Sequence, residues 1–143
     1  MSERVFEPLG EPIGAPGETD LAAMLTAIDV VARPGEFVYV VRAPGEPAPP
    51  DALAKIDEVA SVSYVVPAGS PADMGARYRA AWLTVTVPSS LQAVGLTAAL
   101  GTALAAAGIP CNVLTGFYHD HLLVPADQAE QAIAVVRWLR SDG

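Results

Sequence analysis

The chain has 143 residues, a formal net charge of −8 and an apolar content of 52%, so it can bury the core of one ordinary domain or of two small ones. Its eight Lys and Arg residues are too few and too scattered for a nucleic-acid interface or a basic membrane-binding surface. No run reaches the roughly 20 apolar residues that span a bilayer, and the single cysteine, Cys111, suits a reducing compartment, so we expect a cytoplasmic protein.

The first half of the chain predicts an extended arm followed by mixed elements. Residues 1–18 alternate turn formers with single apolar residues and cannot hold a helix. Thr19 or Asp20 can cap a helix that "RPG" at 33–35 ends. The remaining segments are predicted as strands at 36–42 and 61–67, a short helix at 51–57, and loops at 43–50 and 68–78.

The second half shows clearer periodicity. The segment 80–87 alternates as a strand does and places Leu83, Val85 and Val87 on one face. Apolar residues then recur at helical spacing from Leu96 to Ala107, and Gly108 is placed to end that helix. The last predicted elements are a hairpin of strands 109–115 and 118–124 around the short "GF", and a helix that Pro125 starts at its first position.

From residue 80 onward the predicted order is β-α-β-β-α. Such an order indicates an α+β fold of ferredoxin-like topology, with helices on one face of an antiparallel sheet. The closing strand expected after the last helix is missing, since the sequence ends at Gly143. Either a strand of the first half fills that place, or a second chain supplies it.

Candidate catalytic and metal-binding groups do not form a convincing set. His119 and His121 flank Asp120, but zinc requires three or four ligands and no further histidine exists. Ser89 and Ser90 lack the surroundings of a nucleophile elbow, and Cys111 lies in an apolar run where cysteines are usually packing residues. We therefore expect no catalytic residue, no metal and no cofactor, and we do not expect an enzyme.

One feature favours ligand binding. A helix begins near Gly95, where free backbone N–H groups favour a carboxylate and glycine lets a ligand approach the main chain. The carboxylate of Asp120 on the hairpin can pair with an ammonium group of the ligand. The two together would suit an amino acid, whereas the plain alternative is an ordinary strand–loop–helix connection.

Residues 82–133 strongly resemble the second half of small stand-alone bacterial proteins built from two ACT-like domains. The pieces that carry this resemblance are "SSLQAVGLTAAL", "GIPCNV" and "YHDHLLVP". Residues 21–40 and 61–67 resemble the first half of the same family more weakly. The second half is also similar to the amino-acid-binding ACT modules of aspartate kinase and of the animal arginine sensor.

The resemblance implies two ferredoxin-like domains, at 19–78 (degenerate) and 79–143, preceded by the arm at 1–18. It also implies a homodimer and a small-molecule ligand, an amino acid in the best-known relatives. The contact positions that it implies are Ser63, Ser90, Val94, Gly95, Leu96, Gly116, Phe117, Tyr118 and Asp120. The turn "SSLQAVG" lacks the acidic residue and the proline common in ACT domains, and Ala60 stands where relatives often have an acid.

The main hypothesis is thus a non-catalytic regulatory protein that binds an amino acid. The alternative is an interaction module whose pocket has degenerated and which oligomerises or docks on an enzyme. The missing closing strand motivates this alternative, because an unfilled sheet edge invites pairing with another chain.

Overall fold

The computed structural model of the chain describes residues 20–87 and 91–142. The predicted arm at 1–18 lies outside these residues. The described helices are α1 (Leu21–Ala27), α2 (Leu96–Ala106) and α3 (Ala129–Asp142), the last preceded by a 3-10 turn at Ala126–Gln128. The described strands are β1 (Val30–Ala32), β2 (Phe37–Arg42), β3 (Ala54–Asp57), β4 (Val62–Pro67), β5 (Ala80–Val85), β6 (Asn112–Thr115) and β7 (Asp120–Pro125). No helix in the described part of the chain is long and apolar enough to cross a membrane.

Packing divides the described residues into two compact units. One unit contains the described residues up to Pro34 and from Ala81 onward. Because it contains the three described helices, it is called the helical unit. The other, Gly35–Ala80, is called the three-stranded unit, after β2, β3 and β4. The domain boundaries predicted at 18/19 and 78/79 stay predictions, because packing alone does not show which segments fold independently.

The sheet of the helical unit has the strand order β1-β5-β7-β6. Strand β1 is antiparallel to β5, with Val30 opposite Val85 and Ala32 opposite Leu83. It occupies the edge position that a closing strand after α3 would take in a ferredoxin-like sheet. The missing strand is therefore supplied by the first half of the same chain, which was one of the two expected alternatives.

The three helices cover one face of this sheet and bury the main core there. Asp20 caps α1 by accepting a hydrogen bond from the Ala22 N–H, as predicted. Alternate residues of the strands point at the helices, including the predicted trio Leu83, Val85 and Val87. The α+β class, with an antiparallel sheet and helices on one face, is confirmed.

The three-stranded unit has the order β3-β4-β2, and all its pairs are antiparallel. Strand β2 pairs with β4 along its whole length, from Phe37 opposite Pro67 to Arg42 opposite Val62. A small apolar cluster of Val38, Val62, Tyr64 and Val66 packs on one side of it. At the other edge of β2, Phe37 alone has a strand partner among the described residues, namely Ala80 at the start of β5.

The structure corrects several predicted elements. Residues 51–57, predicted as a short helix, contain strand β3, because Ala54–Asp57 pairs with β4 and sheet pairing overrides helix propensity. The first helix does not run to "RPG". It ends at Ala27, where Ile28 takes an extended conformation that leads into β1.

The hairpin and the last helix also differ in detail from the prediction. The β6–β7 loop is not the two-residue "GF" but spans 116–119, since Thr115 pairs with Asp120 and the Gly116 N–H bonds to the His119 carbonyl. Pro125 caps the 3-10 turn in an extended conformation instead of occupying the first helical position.

Candidate functional site

The turn into α2 depends on glycine. Gly95 is the N-cap residue and has a φ of +104°, in the left-handed region that L side chains rarely adopt. A Cβ atom at this position would also lie 2.8 Å from Cδ2 of Leu21 on α1. The glycine therefore lets the loop approach α1 closely while the chain turns into the helix.

The N-cap residue of α2 is Gly95, which has no side chain to cap the first backbone N–H groups of the helix. Its first intrahelical bond runs from the Ala99 N–H to the Gly95 carbonyl, so the N–H groups of Leu96 and Thr97 precede the regular helical bonding. The aligned peptide dipoles make this end of the helix electropositive. It is thus suited to hold an anionic group such as a carboxylate.

A buried carboxylate faces the same region from the hairpin. Asp120, the first residue of β7, is only 4% exposed. Its Oδ1 accepts a hydrogen bond of 2.8 Å from the Thr115 hydroxyl, on the residue directly opposite in β6. The hairpin register thereby fixes the orientation of the carboxylate.

These groups line one cavity of about 210 Å³, which is called the helix-start cavity. Its walls are Leu91, Ala93, Gly95, Leu96, Thr97, Thr115 and Asp120. Backbone donors, two threonine hydroxyls and one carboxylate thus meet beside leucine and alanine side chains. Among the described residues, no lysine or arginine lines the cavity, so the one charged side chain of its described wall is acidic and favours a ligand with an ammonium group.

Three of the nine predicted contact residues, Gly95, Leu96 and Asp120, lie together in this cavity. Val94 instead points outward and is 81% exposed. The hairpin-loop residues Gly116, Phe117 and Tyr118 do not line it, and the rings of Phe117 and Tyr118 pack edge to face on each other with centroids 4.8 Å apart.

Of the two predicted serines, the structure describes only Ser63, and it falls elsewhere. Ser63 lies on β4 of the three-stranded unit, where its hydroxyl donates a hydrogen bond to the Glu58 carboxylate. Ser90 lies outside the described residues. The assignment of these nine residues to a ligand stays a prediction.

Sequence reasoning missed four residues of the cavity wall, Leu91, Ala93, Thr97 and Thr115. Thr115 could have been predicted from the hairpin register, because a four-residue loop at 116–119 places it opposite Asp120. Thr97 follows Leu96 in the first turn of α2 and could have been included with it. Leu91 and Ala93 lie in an irregular loop that carries no periodic signal.

The two histidines do not join the helix-start cavity. Successive strand residues point to opposite faces, so His121 lies on the face of β7 away from Asp120, where its ring contacts Trp82 and Thr84 of β5. Within residues 20–87 and 91–142, no three His, Cys, Asp or Glu side chains come together as a metal site would require.

A family model for the ACT domain matches residues 77–137, which include β5, α2, the hairpin and most of α3. All the described lining residues of the helix-start cavity lie within this range. ACT domains are regulatory modules that bind small molecules. No curated protein matches the chain.

Solved structures share the fold. A Vibrio cholerae protein of unknown function and possible transport protein, VC0802, is 30% identical with a TM-score of 0.72, and the alignment covers 84% of this chain and 95% of that one. Clostridium acetobutylicum aspartate kinase is 13% identical with a TM-score of 0.59, over 81% of this chain and 34% of the kinase. The regulatory subunit of Thermus thermophilus aspartate kinase is 15% identical with a TM-score of 0.52, over 77% of this chain and 95% of that subunit. The chain belongs to the same family as VC0802, and its residues 77–137 match the ACT domain.

Proposed function

We propose that the chain is a non-catalytic regulatory protein that binds a free amino acid in the helix-start cavity. The observation that carries this proposal is the presence, in one cavity, of the start of α2 and the buried carboxylate of Asp120. The helix start would hold the ligand carboxylate, and Asp120 would hold its ammonium group. Aspartate kinase and its regulatory subunit, which share the fold, support a regulatory role.

The size and lining of the cavity favour a small side chain on the ligand. About 210 Å³ is below the usual range of roughly 300–1,000 Å³ for drug-sized ligands. The apolar part of the wall comes from Leu91, Ala93 and Leu96, and the part of the chain that the structure describes offers no cationic side chain there to pair with an acidic ligand side chain. Small neutral amino acids are therefore the first candidates.

The direct test is a thermal-denaturation screen of the full chain against the twenty amino acids. A ligand at 100 times its dissociation constant stabilises the folded state by about 2.7 kcal/mol, which raises the melting temperature by several degrees. Asp120→Asn should abolish the rise, because it removes the charge while keeping an oxygen that can accept from Thr115. Asp127→Asn, an exposed position at the start of the 3-10 turn, is the matched control.

No rise with any amino acid, or an equal rise in Asp120→Asn, would reject this proposal. The homodimer implied by the family resemblance is part of the proposal and is tested by sedimentation at several concentrations. Strand β1 fills the sheet edge that motivated the alternative of a structural or interaction module, and that alternative stays a prediction.

A further inference from the structure

A second cavity lies in the three-stranded unit, where a sheet splits. Strand β5 begins opposite β2 with the pair Phe37–Ala80, and the pairing goes no further along β2. Residues 39–42 of β2 and residues of the segment 71–76 then form the two walls of a groove of about 480 Å³, which is called the split groove.

The β2 wall offers main-chain groups to a ligand. In an antiparallel ladder, alternate residues direct both their N–H and C=O groups to the same edge. Residues 38–42 pair with β4 on one side and, among the described residues, have no strand partner on the side of the split groove. A ligand that lies extended along this wall can therefore bond to it as an added strand does.

The opposite wall is fixed by a network of hydrogen bonds. The Asp73 carboxylate accepts from the N–H groups of Gly69, Gly75 and Ala76 at 3.0–3.1 Å, and these bonds lower the pKa of Asp73. The Ser70 hydroxyl donates to Asp51 at 2.9 Å. A wall held in place before binding loses little conformational freedom when the ligand arrives.

One positive charge lies at one end of the split groove. Arg42 lines the groove, and one of its nitrogens donates to the Pro47 carbonyl at 3.2 Å. This bond orients the guanidinium and leaves its other N–H groups to donate to a ligand. Arg79, Arg137 and Arg140 are ion-paired, but among the described residues no carboxylate lies within ion-pair distance of Arg42. The Arg42 end of the groove can thus pair with a ligand carboxylate.

The rest of the lining suits an apolar chain with a polar backbone. Val41 and Met74 are exposed at the rim, and Met74, at 90% exposure, is free to pack over an apolar ligand side chain. Residues 39–42 span about 13 Å when extended, which corresponds to about three or four ligand residues. The volume is within the range of small-molecule sites.

We infer that the split groove is a second ligand site, which takes a short apolar peptide with a free C-terminal carboxylate. The peptide lies along β2 with its backbone bonded to the open edge, and its carboxylate reaches Arg42. Because Arg42 is the last residue of β2, a peptide whose C-terminus reaches it runs parallel to β2. The site uses none of the residues of the helix-start cavity and does not depend on the amino-acid binding proposed above.

The test is a titration of the full-length chain with the tripeptide Val-Ala-Val, once as the free acid and once as the C-terminal amide. Binding is monitored by the chemical shifts of the backbone N–H groups of the protein. The free acid should shift the signals of residues 39–42 and 71–76. The amide form, and Arg42→Gln with the free acid, should each bind at least about ten-fold more weakly, since a charge-assisted pair is lost. Lys55→Gln, an exposed charge on β3, is the matched control and should bind unchanged.

Ala72→Trp is a second variant that fills the groove and should also block the peptide. Shifts confined to other residues, no saturable shifts, or equal affinity in Arg42→Gln and in the unmodified chain would overturn the inference. Asp120→Asn separates the two proposals, because it should leave peptide binding intact whether or not it affects amino-acid binding.

Discussion

The indole Nε1–H of Trp82 donates a hydrogen bond to Nδ1 of His121, with 3.1 Å between the two nitrogens. An indole nitrogen can only donate, so Nδ1 must carry a lone pair and the proton of the neutral imidazole lies on Nε2. The Thr84 hydroxyl lies 3.0 Å from the same Nδ1. On Trp82, the Arg33 guanidinium stacks 4.8 Å from the ring centroid. Strands β5 and β7 are thus joined, on the face away from the helices, by a contact that requires a neutral histidine.

The first prediction concerns pH. Burial, followed by the charges of His119 and Arg33, lowers the pKa of His121 below its ordinary 6.5, while Asp120 opposes this shift. The folded state then binds fewer protons than the unfolded state, so this contribution to stability is present above about pH 6.5 and is lost as the pH falls through the lowered value. Melting temperatures at pH 7.5 and 5.5 should show a larger acid-induced fall for the unmodified chain than for His121→Asn.

Asparagine at position 121 keeps an acceptor near the place of Nδ1 but does not titrate. His119→Asn is the matched control in the adjacent loop, and it should retain most of the pH dependence. If His121→Asn loses as much stability on acidification as the unmodified chain, the lowered pKa of His121 does not contribute to acid sensitivity.

Much of the helical unit could be predicted because its local signals agree with its packing. Alternation in β5 and the helical spacing of α2 both predict the faces that the core buries. Gly108 has the positive φ expected of a residue that ends a helix. In these segments the local preference and the tertiary environment favour the same structure.

The elements that were missed are those whose structure depends on a distant partner. Strand β3 has one half-buried and three exposed residues, so its burial gives no alternation, and its four residues form a strand only because β4 lies beside them. Strand β1 has three residues and directly follows a helix with similar composition, so periodicity could not separate them. Likewise, the helix-start cavity could be outlined from Gly95 and Asp120, but the split groove follows from a strand pairing that ends after Phe37.

The second prediction concerns the partner of the buried carboxylate. Thr115→Val removes the hydroxyl that donates to Oδ1 of Asp120 and keeps the shape of the side chain. Loss of a hydrogen bond to a buried charged group should destabilise the fold by about 1–3 kcal/mol. Urea unfolding measures this change, and Thr102→Val, an exposed position in α2, is the matched control and should change the free energy of unfolding by less than about 0.5 kcal/mol. Equal effects of the two substitutions would show that the hydroxyl does not stabilise Asp120.

The third prediction concerns the ion pair between Asp29, which directly precedes β1, and Arg137 of α3. Nε of Arg137 donates to Oδ1 of Asp29 at 2.8 Å, and this hydrogen bond is the largest cause of the lowered pKa of Asp29. Because both side chains are partly exposed, Arg137→Gln should cost only about 0.2–1 kcal/mol near neutral pH. The cost should vanish as the pH falls through the lowered pKa of Asp29, since the protonated carboxyl no longer pairs.

Arg140→Gln is the comparison for this pair, because Arg140 lies 3.5 Å from the other oxygen of Asp29 and makes the longer contact. Chemical denaturation at pH 7 and at a pH below the lowered pKa of Asp29 should therefore rank Arg137→Gln as the more destabilising substitution at pH 7 only. A cost that is equal at both pH values would assign the effect to packing of the arginine stem instead of to charge.

The last prediction compares two glycines of the same region. Gly95→Ala forces a side chain into a φ of +104° and places its Cβ 2.8 Å from Leu21, so it should destabilise the chain by about 1–3 kcal/mol. Gly101→Ala lies inside α2, where an added Cβ meets nothing within 4 Å, and it should stabilise the helix by about 0.5–1 kcal/mol. The opposite signs can be read from thermal unfolding of the two variants side by side. If Gly95→Ala were neutral, the turn that forms the helix-start cavity would not need its left-handed conformation, and the geometry on which the ligand proposal depends would have to be revised.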